Sequence, residues 1–341
     1  MSPEPEVGAA SAEGELRPGE RVLAGSIEKQ FAKTESVAFK FGGSSLDGAA
    51  RMRHAAGLVR AAAERAGVTV VVSAMRGVTD RLLWVARLLE EARHQAARNE
   101  AQGIVELHLG TLRDLALDRG EYERVAHELK LLSGDLLHEI PEWGRAKVTT
   151  LVFDRLASFG ERFSVRLLAA ALVAEGVGAV PVASSDFVLT CENFREAQPQ
   201  LETTRRRGRQ VLLPLLAAGL VPVVTGFIGA TKDGRITTLG RNSSDFSGAL
   251  IAHVVDAEEF VIWTDVDGIY TANPRETHEA QLLHELSYDE ALALAENGAK
   301  VLHPLVLPLA AQTGMTVWVR NTFKPHLRGT RIGAGVKGGA A

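Results

Sequence analysis

Five short stretches of this sequence set charged side chains beside glycines or hydroxyls at spacings suited to holding anions. The first, Lys40-Phe41-Gly42-Gly43-Ser44-Ser45, lies between an apolar run and a helical pattern. Paired glycines let backbone N–H groups approach a phosphate, and Lys40 adds a positive charge. The lysine precedes the glycines, so this is not a P-loop, and a tight strand-to-helix turn with a snorkelling lysine fits the same residues. SFGERF at 158–163 sets Glu161 and Arg162 beside Gly160 near the start of an amphipathic helix. Glu161 is either a partner for a substrate amine or a solvated charge favoured by the helix dipole. TTLGRNSSD at 237–245 is more specific: Arg241 can pair bidentately with a carboxylate, Ser244 can donate a hydrogen bond, and Asp245 can hold an ammonium such as that of Lys40. Ser243 or Asp245 can cap the following helix at the same time.

WTDVDGIYTANPR at 263–275 ends an apolar run in polar residues, and open α/β sheets receive ligands beyond such strand ends. Thr264, Asp265, Tyr270 and Arg275 are therefore candidate nucleotide contacts. Asp265 and Asp267 are spaced like the start of a calcium loop, but the rest of that loop, including its distal glutamate, is absent. GAKVLHP at 298–304 offers Lys300, either a contact to phosphate or adenine or an ordinary surface lysine. His303 reads as structural, and no His/Cys cluster has metal-ligand spacing, so no protein metal site is expected. Neither a GxSxG elbow nor a catalytic cysteine setting is present.

The elements that must position these groups follow from hydrophobic patterning. SVAFKF (36–41) and VTVVVSAM (68–75) read as buried parallel strands, with a helix over about 47–65 between them. A helical layer follows Asp80, with interruptions expected near Gly103, Gly120 and Gly134. One helix is expected over 148–175, short strands near 179–182 and 186–190, a helix over 199–218 and a strand over 220–230. KDG at 232–234 suggests a β-hairpin, and helices near 287–297 and 303–313 precede a closing strand at 315–321. Alternation of strand and helix implies an α/β fold: a mainly parallel open sheet with helices on both faces, a three-layer sandwich. Residues 1–34, rich in Pro, Gly, Ala, Ser and Glu, read as a disordered extension, and 333–341 as a loose tail.

Composition narrows the class. With 46% hydrophobic residues the chain of 341 can bury a large core. A net charge of −4, with no basic block beyond RRRGR at 205–209, argues against a nucleic-acid partner. One cysteine, Cys191, excludes an intramolecular disulfide and suits a reducing compartment. No apolar run is long enough to span a membrane and no signal peptide is evident, so a cytoplasmic location is expected.

Taken together and in this order, KFGGSS, VVVSAMRGVTD, FGERFS, TGFIGATKDGRITTLGRNSSDFSGALIA, WTDVDGIYTANPR and GAKVLHP resemble the aspartate kinase catalytic domain of the amino-acid kinase family. The resemblance covers about residues 36–332; GRNSSD and VWVRNTF look most like the kinase portion of bifunctional aspartate kinase–homoserine dehydrogenases. It implies transfer of the ATP γ-phosphate to the β-carboxylate of L-aspartate, with Mg²⁺ carried on the nucleotide. By that resemblance Lys40 stabilises the transferring group and Asp245 orients it, while Gly42, Gly43 and Ser44 cradle phosphate. Ser45, Ser73, Ala74, Thr79 and Ser244 line the aspartate side; Glu161 takes the α-ammonium and Arg241 the α-carboxylate. Thr264, Asp265, Tyr270, Arg275 and Lys300 hold ATP. A substrate lobe over about 35–220 and a nucleotide lobe over about 221–332 are implied, with a homodimer possible.

The chain departs from the pattern at Ser44 for threonine, at Phe159 for histidine and at Asn242 and Ser243 for a double glycine. Relatives commonly continue into ACT regulatory domains, which this sequence does not show; absence of feedback inhibition by lysine or threonine is therefore the expectation. Phosphorylation of another carboxylic amino acid, or a catalytically inactive nucleotide-binding partner, is the alternative.

Overall fold

The structure, a computed structural model, describes residues 36–143, 148–240, 243–272, 277, 279–296 and 302–334. The expected N-terminal extension and most of the expected tail lie outside the described residues. β1 (Ser36–Phe41) is buried along its whole length, as a central strand covered on both faces must be. A 3₁₀ turn (Gly43–Leu46) leads to α1 (Ala49–Ala63) and β2 (Gly67–Val72). A helical layer follows: α2 (Val78–Glu90), α3 (His94–Asp114) and α4 (Arg119–Trp143), then α5 (Thr150–Ala157) and α6 (Phe159–Ala174). β3 (Ala179–Val182), α7 (Leu201–Ala217) and β4 (Val221–Thr225) complete the first half.

The second half holds the hairpin β5 (Ile228–Ala230) and β6 (Ile236–Thr238), then α8 (Ser244–Val254) and β7 (Glu259–Thr264). Short strands β8 (Ile269–Tyr270), β9 (Leu282–Leu283) and β10 (Glu285–Leu286) precede α9 (Tyr288–Glu296) and α10 (Val306–Thr313). β11 (Thr316–Asn321) and β12 (Thr330–Ile332) close the fold. The main sheet runs β10-β12-β11-β7-β1-β2-β4-β3, parallel except where β12 turns back against β11. The register sets Phe41 beside both Val72 and Trp263, and Val72 beside Thr225, so four parallel strands end along one line.

Strand alternation sends Phe39, Phe41, Val70, Val72, Val261 and Trp263 into one core with α1 to α6. Lys40 points to the other face, toward α8. There a side chain at Gly248 would lie 2.5 Å from the Phe260 ring and 3.1 Å from Lys40 Cβ, so glycine is what lets α8 approach the sheet.

Several boundaries differ from the sequence expectation. The helical layer breaks at Ala92 and Ala116, both left-handed at φ 55°, while helices run through Gly103 and Gly134. Gly103 makes room for a neighbour instead: a Cβ there would sit 2.8 Å from the Arg81 guanidinium. The single helix expected over 148–175 is two, joined at Ser158, and residues 186–190 form no sheet strand, only isolated bridges at Leu189 and Thr190. The strand expected over 220–230 divides at Gly226 and Phe227, where the chain leaves the main sheet for the hairpin. β12 was not foreseen.

His108 shows how the helical layer limits stability. Its ring is fully buried, stacks 4.4 Å from Phe163 and places Nδ1 2.7 Å from the Ile104 carbonyl. Burial lowers its pKa from 6.5 to about 4. Between those values the unfolded chain binds more protons, so the stability associated with the neutral ring is present above pH 6.5 and is lost as pH falls toward about 4. At about 1.4 kcal/mol per unit this amounts to roughly 3 kcal/mol. His108→Leu is expected to flatten the acid limb of urea-unfolding stability; an equal decline in both proteins would exclude the histidine as its source.

Candidate active site

Lys40 is the last-but-one residue of β1 and Asp245 lies in the first turn of α8, so the sheet face and the helix start bring them together. Lys40 Nζ lies 2.6 Å from Asp245 Oδ1, with side chains 10% and 16% exposed. The carboxylate also faces the positive end of the helix dipole, so lysine and helix share it. Ser244 comes close to the end of β4: its Cβ lies 3.7 Å from where a Gly226 side chain would be.

Beyond β1 the Gly42 amide donates to the Trp263 carbonyl at 3.2 Å and the Ser45 amide to the Gly42 carbonyl at 2.9 Å, which curls the loop across the strand ends. The two glycines are not equivalent. A Cβ at Gly43 would meet the Ala74 carbonyl at 2.7 Å and the Arg76 amide at 3.2 Å, both backbone, whereas one at Gly42 would meet Lys40 Nζ at an ordinary 3.6 Å. Gly43→Ala is therefore expected to cost about a hundredfold or more in turnover by shifting the loop, and Gly42→Ala much less. Comparable rates for the two variants would contradict this.

Ser45, expected on the aspartate side, also has a partner within the fold. It is fully buried, its hydroxyl shares a 2.6 Å hydrogen bond with Thr322, and it braces the loop against β11. Ser44, Ser73 and Thr79 are half-buried around the same edge, Thr79 in the first turn of α2. Glu161 is 2% exposed in the first turn of α6 and accepts the Ala74 amide on Oε1 at 3.0 Å. Its Oε2 is buried with no protein partner. Burial, only partly offset by the Ala74 and Glu161 amides, pushes its pKa from 4.5 to about 8. The alternative of a solvated helix charge is thus excluded. Phe159 is 1% exposed, lies under Arg162 and lines a cleft with Asp135, His138 and Glu139.

Thr264 is half-buried and Asp265 exposed just past β7, and Tyr270 lies in β8 paired with Leu282. The turn between them is anchored by Asp267, which accepts from Asn321 Nδ2 at 2.5 Å and Lys324 Nζ at 2.9 Å. Arg241, Arg275 and Lys300 lie outside the described residues. Among the described residues no group of three His, Cys, Asp or Glu side chains is placed to hold a metal ion.

Sequence reasoning passed over Phe227. Its backbone is left-handed at φ 65°, its amide donates to Ser247 Oγ at 2.8 Å, and it turns the chain out of β4 next to Ser244. A bulky residue in that region signals strain, which concentrates at functional sites; only its neighbour Gly226 hinted at a strand break. A cavity of about 510 Å³ opens beside the site, walled by Arg155, Arg162, Arg166 and Arg235. Each of these is paired, with Glu139, Asp135, Glu128 and Asp233 respectively, although of those partners only Asp233 lines the cavity.

A buried lysine–aspartate pair, a glycine loop at strand ends and an orphaned carboxylate oxygen together define an α/β site for bringing an anionic ligand and an amine-bearing one to a common edge. The chain belongs to the amino acid kinase family, whose sequence profile matches residues 36–321. It is 33% identical over 299 residues to the lysine-sensitive aspartokinase 3 of Escherichia coli, covering 88% of this chain and 64% of that protein. It is also 33% identical over 298 residues to the chloroplastic aspartokinase 1 of Arabidopsis thaliana, covering 86% and 51%. Among solved structures, E. coli aspartokinase III in complex with aspartate and ADP superposes with a TM-score of 0.81 at 31% identity, over 89% of this chain and 65% of that one. The chain thus spans about half to two thirds of the length of these relatives. No described helix is long and apolar enough to cross a membrane.

Proposed function

We propose that the chain is an aspartate kinase, transferring the γ-phosphate of ATP to the β-carboxylate of L-aspartate to give 4-phospho-L-aspartate and ADP. The observation that carries this reading is Glu161, buried with one oxygen unpartnered in the protein. A carboxylate in that state is completed by a cation with hydrogen-bond donors, and the α-ammonium of a free amino acid is one. An N-acylated amine would not suit it. The likeness to aspartokinases, one of them solved with aspartate and ADP, supports aspartate as the acid.

In this reading Lys40, steered by Asp245, neutralises charge on the transferring phosphoryl group, and the loop at Gly42, Gly43 and Ser44 offers it backbone donors. Ser73, Ala74, Thr79 and Ser244 surround the acceptor, with Arg241 taking its α-carboxylate. Thr264, Asp265, Tyr270, Arg275 and Lys300 hold the nucleotide. The acceptor carboxylate is ionised near neutral pH, so alignment and charge neutralisation suffice without a general base. Mg²⁺ bound to ATP would supply further charge neutralisation. Such an ion would be carried in on the phosphates of the nucleotide. Acceptor groups come mainly from the 35–220 lobe and nucleotide groups from the 221–332 lobe. A cytoplasmic homodimer is part of the same proposal.

The test is hydroxylamine trapping with MgATP, comparing L-aspartate with L-glutamate, D-aspartate and N-acetyl-aspartate. Aspartyl hydroxamate should form with L-aspartate. Turnover of another acid alone would replace the substrate, and ATP binding without turnover of any acid would favour the inactive-partner alternative.

A further inference from the structure

We propose that Asp154 is a positioning residue that fixes the spacing between Glu161 on one side and, on the other, the end of β6 at Thr238 from which the chain runs on to Ser244. The inference rests on the reading of Glu161 and Ser244 given above. Asp154 is 1% exposed on α5, which joins α6, the helix carrying Glu161, at Ser158. Its Oδ2 accepts the Thr238 amide at 2.9 Å and the Arg195 amide at 2.8 Å, and its Oδ1 accepts the Thr238 hydroxyl at 2.8 Å. Thr238 ends β6, and Ser244, at the start of α8, follows six residues on.

The clamp joins three segments that are distant in sequence. Thr238 also accepts the Ala197 amide at 2.9 Å, which ties the 195–197 turn to the same point, and Arg195 is held left-handed at φ 74°. The next residue, Leu239, donates to the Phe227 carbonyl at 3.0 Å. One carboxylate thus sets where the exit from β6 stands relative to the α5–α6 pair. Removing it would leave buried donors without an acceptor, and the turn would shift to satisfy them. Displacement of about 1 Å in a binding group can cost two orders of magnitude in rate.

The clamp works through acceptor geometry, with three donors meeting the two carboxylate oxygens. Burial outweighs the three donors and holds the Asp154 pKa above its ordinary value. In Asp154→Asn one oxygen can still accept both backbone amides while the new amide donates to the Thr238 hydroxyl, which rotates to accept. Asp154→Ala can do neither.

The experiment measures steady-state KM for aspartate and for MgATP in wild type, Asp154→Asn and Asp154→Ala, with amide exchange at Arg195 and Thr238 as a readout independent of activity. In Asp154→Ala we expect KM for aspartate to rise about tenfold or more, KM for ATP to change less than about twofold, and both amides to lose protection. Asp154→Asn is expected to stay near wild type in all three. Unchanged aspartate KM in Asp154→Ala, a parallel rise in both KM values, or an Asn variant as impaired as Ala would overturn the positioning role. If wild type neither binds nor turns over aspartate, the proposed function fails first and this role falls with it, an outcome distinct from a working enzyme indifferent to Asp154.

Discussion

Lys40→Met is expected to lower phosphoryl-transfer turnover by about 10³-fold, because it removes a buried cation held beside the glycine loop where charge would build up. The hydroxamate assay reads this directly. The same substitution strands Asp245, whose side chain is only 16% exposed, without its ammonium partner. Breaking such a pair from one side destabilises by about 3 kcal/mol, because the remaining charge keeps its desolvation cost and loses its compensation. Restoring neutrality in the double variant Lys40→Met/Asp245→Asn should recover most of that stability in urea unfolding and none of the turnover. Recovery of both, or loss of stability without loss of turnover, would show that the pair serves the fold rather than the chemistry.

Glu161→Gln should separate binding from stability in the opposite way. A charge-assisted contact to an ammonium is worth about 1.5–3 kcal/mol, so KM for aspartate should rise roughly ten- to a hundredfold with little change in KM for ATP. Stability should move in favour of the variant at alkaline pH. With a folded pKa of about 8 against an ordinary 4.5, the folded chain holds more protons than the unfolded one between those limits. Wild-type stability therefore falls as pH rises across that window, by several kcal/mol at about 1.4 kcal/mol per unit. Glutamine carries no such penalty, and urea unfolding at about pH 5 and pH 9 compares the two slopes. Parallel slopes would mean that Glu161 is not the buried titrating group.

The same residue sets how aspartate binding depends on pH. At neutral pH the free protein holds Glu161 mostly protonated, and an incoming ammonium would favour the carboxylate. Binding should release a proton and tighten as pH rises toward about 8. Titration calorimetry in buffers of different ionisation enthalpy reads the proton directly; proton uptake would reverse the assignment.

Much of this site was legible from local sequence because its logic is local. Alternation along SVAFKF turns Lys40 to the face opposite Phe39 and Phe41, and the cap-like run before FSGALIA puts Asp245 at a helix start. The order of strands and helices was enough for a parallel sheet with ligands at its strand ends. Arg241, Arg275 and Lys300 rest on sequence alone.

Tertiary structure decided what adjacent residues do not encode. Ser45 read as a site hydroxyl, and only the fold shows that it is also buried against Thr322, 277 residues away. Asp154 carried no signal in the sequence, yet it accepts from Thr238, 84 residues on, and ties α5 to the end of β6. Residues 220–230 read as one strand because their apolar run is continuous, but the left-handed Phe227 diverts the chain where α8 packs. Glycines 103 and 134 looked like helix breaks, and packing carried both helices through them. By itself the sequence determined the layers, the strand ends and the identity of the charged groups, since periodicity, capping and turn chemistry act over a few residues. Which of those groups are buried, braced or left unpartnered depended on long-range contacts, because desolvation and hydrogen-bond satisfaction are properties of a side chain's surroundings in the folded chain.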